Sequence, residues 1–401
     1  MSLLSFDDAL EKLLAAARPL AEIETVDTVD AVGRVLARAQ TSSLAVPPCD
    51  NAAMDGYAVR LADASAAGAR LAVAQRIPAG SVGMPLAHGT AARIFTGAPV
   101  PEGAEAVVMQ EFCEHAEEGF VRINRAPRLG ENIRRAGEDI QAGAELLAPG
   151  ARLTPQDIGL AASVGLATLP VFRRLRVAVF FTGDELTPPG EPLKPGGIYN
   201  SNRYALRGLL AALGCEVNDL GIVRDTLAAT RAALREAAAS DVIITSGGVS
   251  VGEEDHVKAA VQAEGALELW KIAIKPGKPL ACGRIGVGET PFIGLPGNPV
   301  SAFVTFLMLV RPFLLACQGA RAAPPRGIMM RADFDWLKPD RRREFLRVRI
   351  NREGGLDLFP NQGSGVLTSC AWADGFVDSL PEQAIARGGQ VRFLPFAELL
   401  Y

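Results

Sequence analysis

The sequence predicts a multidomain α/β protein: one parallel-sheet α/β domain, a β-rich module before it and a small β domain after it. Three observations carry that prediction. At 401 residues the chain is too long for one ordinary core, and length alone suggests roughly two to four domains. From about Leu175, apolar strands alternate with capped helices, the spacing of parallel strands joined by crossover helices. Between Leu61 and Ile140, short β runs such as ARLAVAQRI, TAARIFTGA and AEAVVMQEF are set among Gly, Ala and Pro, the texture of a small β module.

The elements follow in order. Ser5 caps a helix over Phe6 to Ala17, with acids in its first turn. IETVDTVDAVGRVLA reads as a short strand and turn, and Pro47-Pro48 bar a helix before the tight Asp55-Gly56 turn. TPQDIGLAASVG, from Thr154, is a capped helix. RVAVFFTGDEL opens the α/β domain with a continuous apolar strand. Asn200-Ser201 cap a helix through Leu213 that Gly214 ends, CEVNDLGIV is the next strand, and Asp225-Thr226 cap another helix. Asp241 to Thr245 is a buried strand, and ELWKIAI, PLACGRI and TPFIGL supply more. After Pro324-Pro325 the alternation in REFLRVRI and QVRFLPF marks the C-terminal β domain.

Composition narrows the function. Hydrophobic residues are 49% and charged residues 21%, a globular balance. A net charge of −4 argues against a nucleic-acid partner held by bulk phosphate attraction. The six cysteines (Cys49, Cys113, Cys215, Cys282, Cys317, Cys370) form no CxxC pair, which suits free thiols in a reducing cytosol and gives no zinc framework. The acidic, amphipathic N-terminus is not a secretory signal. The apolar run Ala302 to Cys317 is short and broken by Arg311 and Pro312, whereas a bilayer span needs about 20 apolar residues. A soluble, cytoplasmic protein with no membrane partner is expected.

The chemistry concentrates in DVIITSGGVSVGEEDHVK, Asp241 to Lys258. Ser246, Gly247 and Gly248 strip side-chain bulk from the end of a strand, so backbone N–H groups can approach an anion. Ser250 follows, and Glu253, Glu254 and Asp255 open a helix ending at Gly265. Carboxylates about 4 Å apart repel by roughly 1 kcal/mol in water and about 4 near a protein surface, a cost that a divalent cation removes.

Ligands of open α/β sheets bind outside the carboxyl ends of the strands. That rule gathers Thr182 to Glu185, Asp225, Ser246 to Asp255, KPGKP with Lys275 and Lys278, and GLPGNPVS with Pro296, Gly297, Asn298 and Ser301. Lysines and backbone N–H groups hold oxyanions, while carboxylates with phosphates recruit Mg²⁺. Taken singly, Asp225 reads as a helix cap, Asp55 as a turn former, Thr96 as a strand-end hydroxyl and the lysines as surface charges. Five successive turns on one rim shift the reading toward a phosphorylated or adenylylated ligand, Mg²⁺ and a second anion. No GxxxxGK[ST] loop is present, which disfavours a P-loop nucleotidase, and only three histidines exist.

CDNAAMDGYAVR, RIFTGAPVP, GENIRRAGEDI, TGDEL, YNSN, SGGVSVGEEDHVK, KIAIKPGKP and GLPGNPVS, in that order, resemble the molybdopterin molybdenumtransferase (MoeA, molybdenum insertase) family. QGSGVLTSCAWADGF extends the likeness into the C-terminal module, where it is looser. The resemblance implies a helical and extended linker domain from 1–45 and 141–174, a β-rich domain at 46–140, a molybdopterin-binding α/β domain at 175–322 and a small β-barrel at 323–401. It implies an elongated homodimer that converts adenylylated molybdopterin and molybdate to molybdenum cofactor, releasing AMP with Mg²⁺. Asp55, Thr96, Asp139, Glu185, Asp225 and Asp255 match the family's site positions, Asp55 and Thr96 being supplied in trans. Glu185, Asp225 and Asp255 are the implied metal and adenylate acids. Lys275 and Lys278, with Ser301, Arg342 and Ser364, are the implied molybdate groups. Transient partners would be molybdopterin adenylyltransferase and molybdoenzyme-specific chaperones. Two other readings remain open: molybdopterin adenylyltransferase itself, and a gephyrin-like scaffold without catalysis. Tungstate and molybdate, nearly isosteric, are not distinguished.

Overall fold

A computed structural model describes residues 3–248, 256–321 and 324–400. Ser5 accepts a hydrogen bond from the Asp8 N–H and starts α1 (Phe6–Ala16), whose Phe6, Ala9 and Leu13 are buried. That face does not stay with the strands that follow it. It packs into the core beneath the α/β sheet, where Phe6 meets Phe345 edge-on at 5.7 Å. β1 (Ile23–Asp27) then crosses the chain to pair antiparallel with β8 (Thr168–Phe172). Together with α2 (Pro155–Ser163), capped by a reciprocal Thr154–Asp157 box, it closes a small core around Leu36, Leu153 and Val171.

The β-rich module is a six-stranded sheet of β2 (Gly56–Val59), β3 (Ala69–Ile77), β4 (Thr90–Ile94), β5 (Ala106–Met109), β6 (Cys113–Glu117) and β7 (Phe120–Ile123). Its spatial order is β5-β2-β4-β3-β7-β6, with only β3 and β4 parallel. Gly56 lies where a Cβ would stand 1.9 Å from the Val108 carbonyl, so the Asp55-Gly56 turn needs glycine for close strand approach.

The α/β module comprises β9 (Arg176–Thr182), α3 (Ser201–Ala212), β10 (Glu216–Val223), α4 (Leu227–Ala237), β11 (Val242–Ser246) and α5 (His256–Glu264). It continues with β12 (Gly265–Lys271), β13 (Ile274–Lys275), β14 (Pro279–Ile285), β15 (Thr290–Leu295), α6 (Pro299–Thr305) and α7 (Arg311–Cys317). β9 buries Val177, Val179 and Phe181 toward α1, α3 and α6, and Ala178 and Phe180 toward α4 and α5. Both faces are covered, which is why its sequence is continuously apolar. Burying each phenylalanine contributes about 2 kcal/mol.

The sheet order is β10-β9-β11-β15-β14-β12. The expected parallel sheet is in fact mixed: β10, β9, β11 and β15 run parallel, but β14 is antiparallel to both β15 and β12. The connection from Ile285 to Thr290 is a tight Gly286-containing turn, too short for the crossover that parallel strands require. ELWKIAI is likewise two strands rather than one. Lys271 ends β12, and β13 leaves to pair in parallel with the C-terminal sheet.

Pro312 does not break the apolar helix. Helical structure runs from Pro299 to Cys317, and a π-helical stretch, Phe306–Val310, lies just ahead of the proline. Proline opens the new α-helical register at a position where its missing N–H costs least. Of its most apolar 18-residue window, 72% is buried, as in the core helix of a folded domain.

The C-terminal module holds β16 (Ile328–Arg331), β17 (Arg343–Ile350), β18 (Leu356–Leu358), β19 (Gly375–Ser379) and β20 (Gln390–Pro395), ordered β13-β17-β19-β20-β16 with β18 on β17. β16 runs on into Ala332, which bridges Leu356 of β18, so β17, β19, β20, β16 and β18 follow one another in a ring, with β13 added at the side of β17.

Candidate functional site

The carboxyl ends of β9, β10, β11 and β15 lie on one edge of the sheet because the four strands are parallel. The 272–278 connection joins them. Lys271 registers with Pro279, and Ala281 with Gly294, which brings that loop to the same edge.

Side-chain bonds weld three of these turns together. Asn202, in the first turn of α3, donates from Nδ2 to Ser246 Oγ at 2.8 Å and to the Gly297 carbonyl at 2.8 Å. Ser246 Oγ donates in turn to the Pro296 carbonyl at 3.0 Å, and the Gly247 N–H reaches the Leu295 carbonyl at 3.3 Å. Gly247 and Gly248 both have positive φ, +98° and +63°. A Cβ on Gly247 would stand 2.8 Å from the Thr182 carbonyl, and one on Gly248 would stand 2.5 Å from Val257 and 2.9 Å from Thr182 Oγ1. Here glycine is dictated by close approach as well as by backbone angle. Among the described residues, Thr182 Oγ1 is buried without a hydrogen-bond partner beneath this turn.

A second group of predicted residues meets where the C-terminal module closes on the rim. The Val300 N–H, one turn after Gly297-Asn298, donates to the Ser364 carbonyl at 3.0 Å. Lys275, paired in register with Glu344, places Nζ 3.0 Å from Glu344 Oε1 and 3.5 Å from Asp340 Oδ2. Arg342 grips Asp340 as a two-pronged fork, Nε to Oδ1 at 3.0 Å and Nη2 to Oδ2 at 2.8 Å. That hydrogen bonding holds the Asp340 carboxyl far below the ordinary carboxylate range. Ser301 is buried under the KPGKP turn, its carbonyl 3.4 Å from where a Gly277 Cβ would stand. Lys278 is exposed, and its carbonyl accepts from the Ile272 N–H.

The acids divide differently. Glu185 is exposed, with its carboxylate folded back over Gly183. Asp225 is half-buried and is not the helix cap: Thr226 does that work, accepting from the Ala229 N–H. Asp255 and Ser250 lie outside the described residues. Among the described residues no group of three potential metal ligands is gathered. Glu185 and Asp225 nonetheless offer hard carboxylate oxygens, the donor type that Mg²⁺ takes.

Asp55, Thr96 and Asp139 sit in the β-rich module, and none of the described hydrogen bonds or ion pairs joins them to the rim. Asp55 Oδ1 accepts from the Thr96 N–H at 2.8 Å and from Thr96 Oγ1 at 2.7 Å, which holds its carboxyl below the ordinary value. Asp139 is exposed. Sequence reasoning gave no role to Asn202, though YNSN drew notice, nor to Asp340, Glu344 and Trp336. For Asn202 the only signal was its place next to a helix cap at a strand end. For the other three no local signal exists, because Lys275, which pairs with Asp340 and Glu344 and lies 6.0 Å from the Trp336 ring centroid, is remote in sequence.

Residues 4–165 match the family described as MoeA N-terminal region (domain I and II), 178–316 a probable molybdopterin binding domain, and 330–396 the MoeA C-terminal region (domain IV). Fold and rim therefore define a multidomain protein built around a molybdopterin-binding type of α/β domain. A molybdopterin molybdenumtransferase of Haemophilus influenzae is 39% identical, covering 99% of this chain and all of its own length. One from a Nostoc species is 40% identical over 93% of this chain and 88% of its own. The crystal structure of the molybdopterin biosynthesis MoeA protein from Pyrococcus horikoshii OT3 superposes with a TM-score of 0.85 at 28% identity, over 98% of this chain and 100% of its own. The chain belongs to the molybdopterin molybdenumtransferase (MoeA) family.

Proposed function

We propose that this chain is a transferase of molybdenum cofactor biosynthesis, moving molybdenum from molybdate onto adenylylated molybdopterin with release of AMP. Family membership supports the class of reaction. The observation that carries the site is the bonded junction of the Ser246–Gly248 and Pro296–Asn298 turns, on the sheet edge to which the 272–278 loop brings Lys275. The turns present backbone N–H groups to the phosphate of the adenylate. Lys275, Arg342 and the loop holding Ser364 receive the oxyanion, Arg342 through its planar fork. Glu185 and Asp225, with Asp255, would hold Mg²⁺. The ion, when bound, neutralises phosphate charge and stabilises the AMP leaving group.

Asp55 and Thr96 complete the site from a second copy of the chain, the β-rich module of one protomer facing the α/β module of the other. Their lack of described bonds to the rim of their own chain supports this arrangement. Six free cysteines support a cytoplasmic setting. Adenylyltransferase and chaperone contacts would be transient.

The test supplies purified protein with adenylylated molybdopterin, molybdate and Mg²⁺. AMP and active cofactor should appear together, and Asp225→Asn and Lys275→Ala should each suppress both. Consumption of ATP with free molybdopterin, without AMP release from the adenylate, would identify an adenylyltransferase instead.

A further inference from the structure

We infer that Asp340 is the exchangeable counter-ion of the oxyanion site: its carboxylate occupies Lys275 and Arg342 until a tetrahedral dianion displaces it. This rests on the oxyanion reading above. As folded, the four charges at the site cancel, with Lys275 and Arg342 giving +2 and Asp340 and Glu344 giving −2. A dianion approaching a neutral cluster gains little Coulomb energy. One acid must give way.

The two acids are not equivalent. The Glu344 side chain is 2% exposed, is fixed in the sheet opposite Lys275, and also accepts from Trp336 Nε1 at 2.8 Å and the Asp340 N–H at 3.0 Å. Moving it would strand two donors and a buried charge. Asp340 precedes β17 in a loop, with its side chain 23% exposed. Apart from the Arg342 N–H at 3.1 Å, the described partners of its carboxylate are the two cations themselves. Water is within reach when it leaves. The Arg342 fork that now holds two carboxylate oxygens has the geometry to hold two oxygens of a tetrahedral oxyanion.

Exchange also gives selectivity by charge. Replacing one carboxylate with a monoanion leaves the cluster's charge as it was, so chloride gains nothing. A dianion adds a charge to the same two cations and wins the exchange. Asp340 therefore acts as a specificity-determining residue that lowers absolute affinity while rejecting singly charged competitors.

Calorimetric titration of the full chain with sodium molybdate, in low and high chloride, tests this. Asp340→Asn should bind molybdate about tenfold tighter, the scale of one charge-assisted competitor removed, and should become more sensitive to chloride. Asp340→Glu should return toward the wild-type affinity and chloride response. Asp340→Ser, checked for folding by circular dichroism, should repeat the Asp340→Asn result. Unchanged or weaker binding in Asp340→Asn and Asp340→Ser, while Lys275→Ala still loses binding, would overturn the exchange and leave the oxyanion site standing. Wild-type binding by Lys275→Ala would remove the oxyanion site, and the exchange with it.

Discussion

At the scale of single residues, identity matters most where one hydroxyl or one missing Cβ sets an environment. Thr96 gives Asp55 two hydrogen bonds, so the Asp55 carboxyl stays ionised below the ordinary carboxylate range. Thr96→Val removes one of those bonds and loosens the other. The acid limb of the pH–rate profile should move upward in the variant while the alkaline limb stays in place. A profile superimposable on wild type would separate Asp55 ionisation from turnover. Gly248 is the second case. Gly248→Ala places a methyl against Val257 and Thr182 at a φ of +63°, a combined strain of about 1–3 kcal/mol. We expect lost adenylate affinity with modest loss of stability, read by ligand titration beside thermal melting. The need for glycine there was legible in SGG, but what it avoids was not. Thr182 is 66 positions away and arrives only through the β9–β11 pairing.

At the scale of elements, the junction of the linker strands with the α/β sheet depends on Asp241, the residue before β11. Arg173 donates to both of its oxygens at 2.7 and 2.8 Å and also to Glu22, while the Arg176 N–H donates to Asp241 at 2.7 Å. Burial pushes the Asp241 carboxyl up, but the Arg173 and Arg176 contacts outweigh it and hold it below the ordinary carboxylate value. A depressed carboxyl stabilises the fold fully above its unfolded value, and that contribution fades as pH falls through the folded value. Asp241→Asn should therefore lose about 2–3 kcal/mol at pH 7, by chemical denaturation, and show a smaller loss relative to wild type at acid pH, once the wild-type carboxyl is protonated. An equal difference at both pH values would mean packing, not charge, holds this joint. The same scale corrected two sequence expectations. A turn too short for a crossover made the sheet mixed, and a π-helical stretch let a long apolar helix run through Pro312.

At the scale of the whole molecule, the proposal sets Asp55 and Thr96 of one copy against the α/β rim of another. Asp55→Ala and Glu185→Ala should each be inactive. Mixing the two under subunit exchange should restore activity, because the mixed dimer has one intact site made from both wild-type faces. Equal amounts give about a quarter of wild-type activity, since half the dimers are mixed and each holds one good site of two. No recovery, with subunit exchange verified, would place Asp55 and Glu185 in the same chain's site. Sedimentation of the wild-type chain should show a dimer under the same conditions.

The sequence by itself determined the helix caps, the buried strands, the glycine turns and the family, because each is written in contiguous residues obeying local rules. Ser5, Thr154 and Asn200 cap helices in the structure as their sequence context required. Only the tertiary structure decided which turns share bonds through Asn202, where β13 leaves one sheet for another, and that Lys275 is already neutralised by Asp340 and Glu344. Those outcomes depend on groups dozens of residues apart. Charge and hydrogen-bond partnership is fixed by distance in space, and no local pattern encodes it.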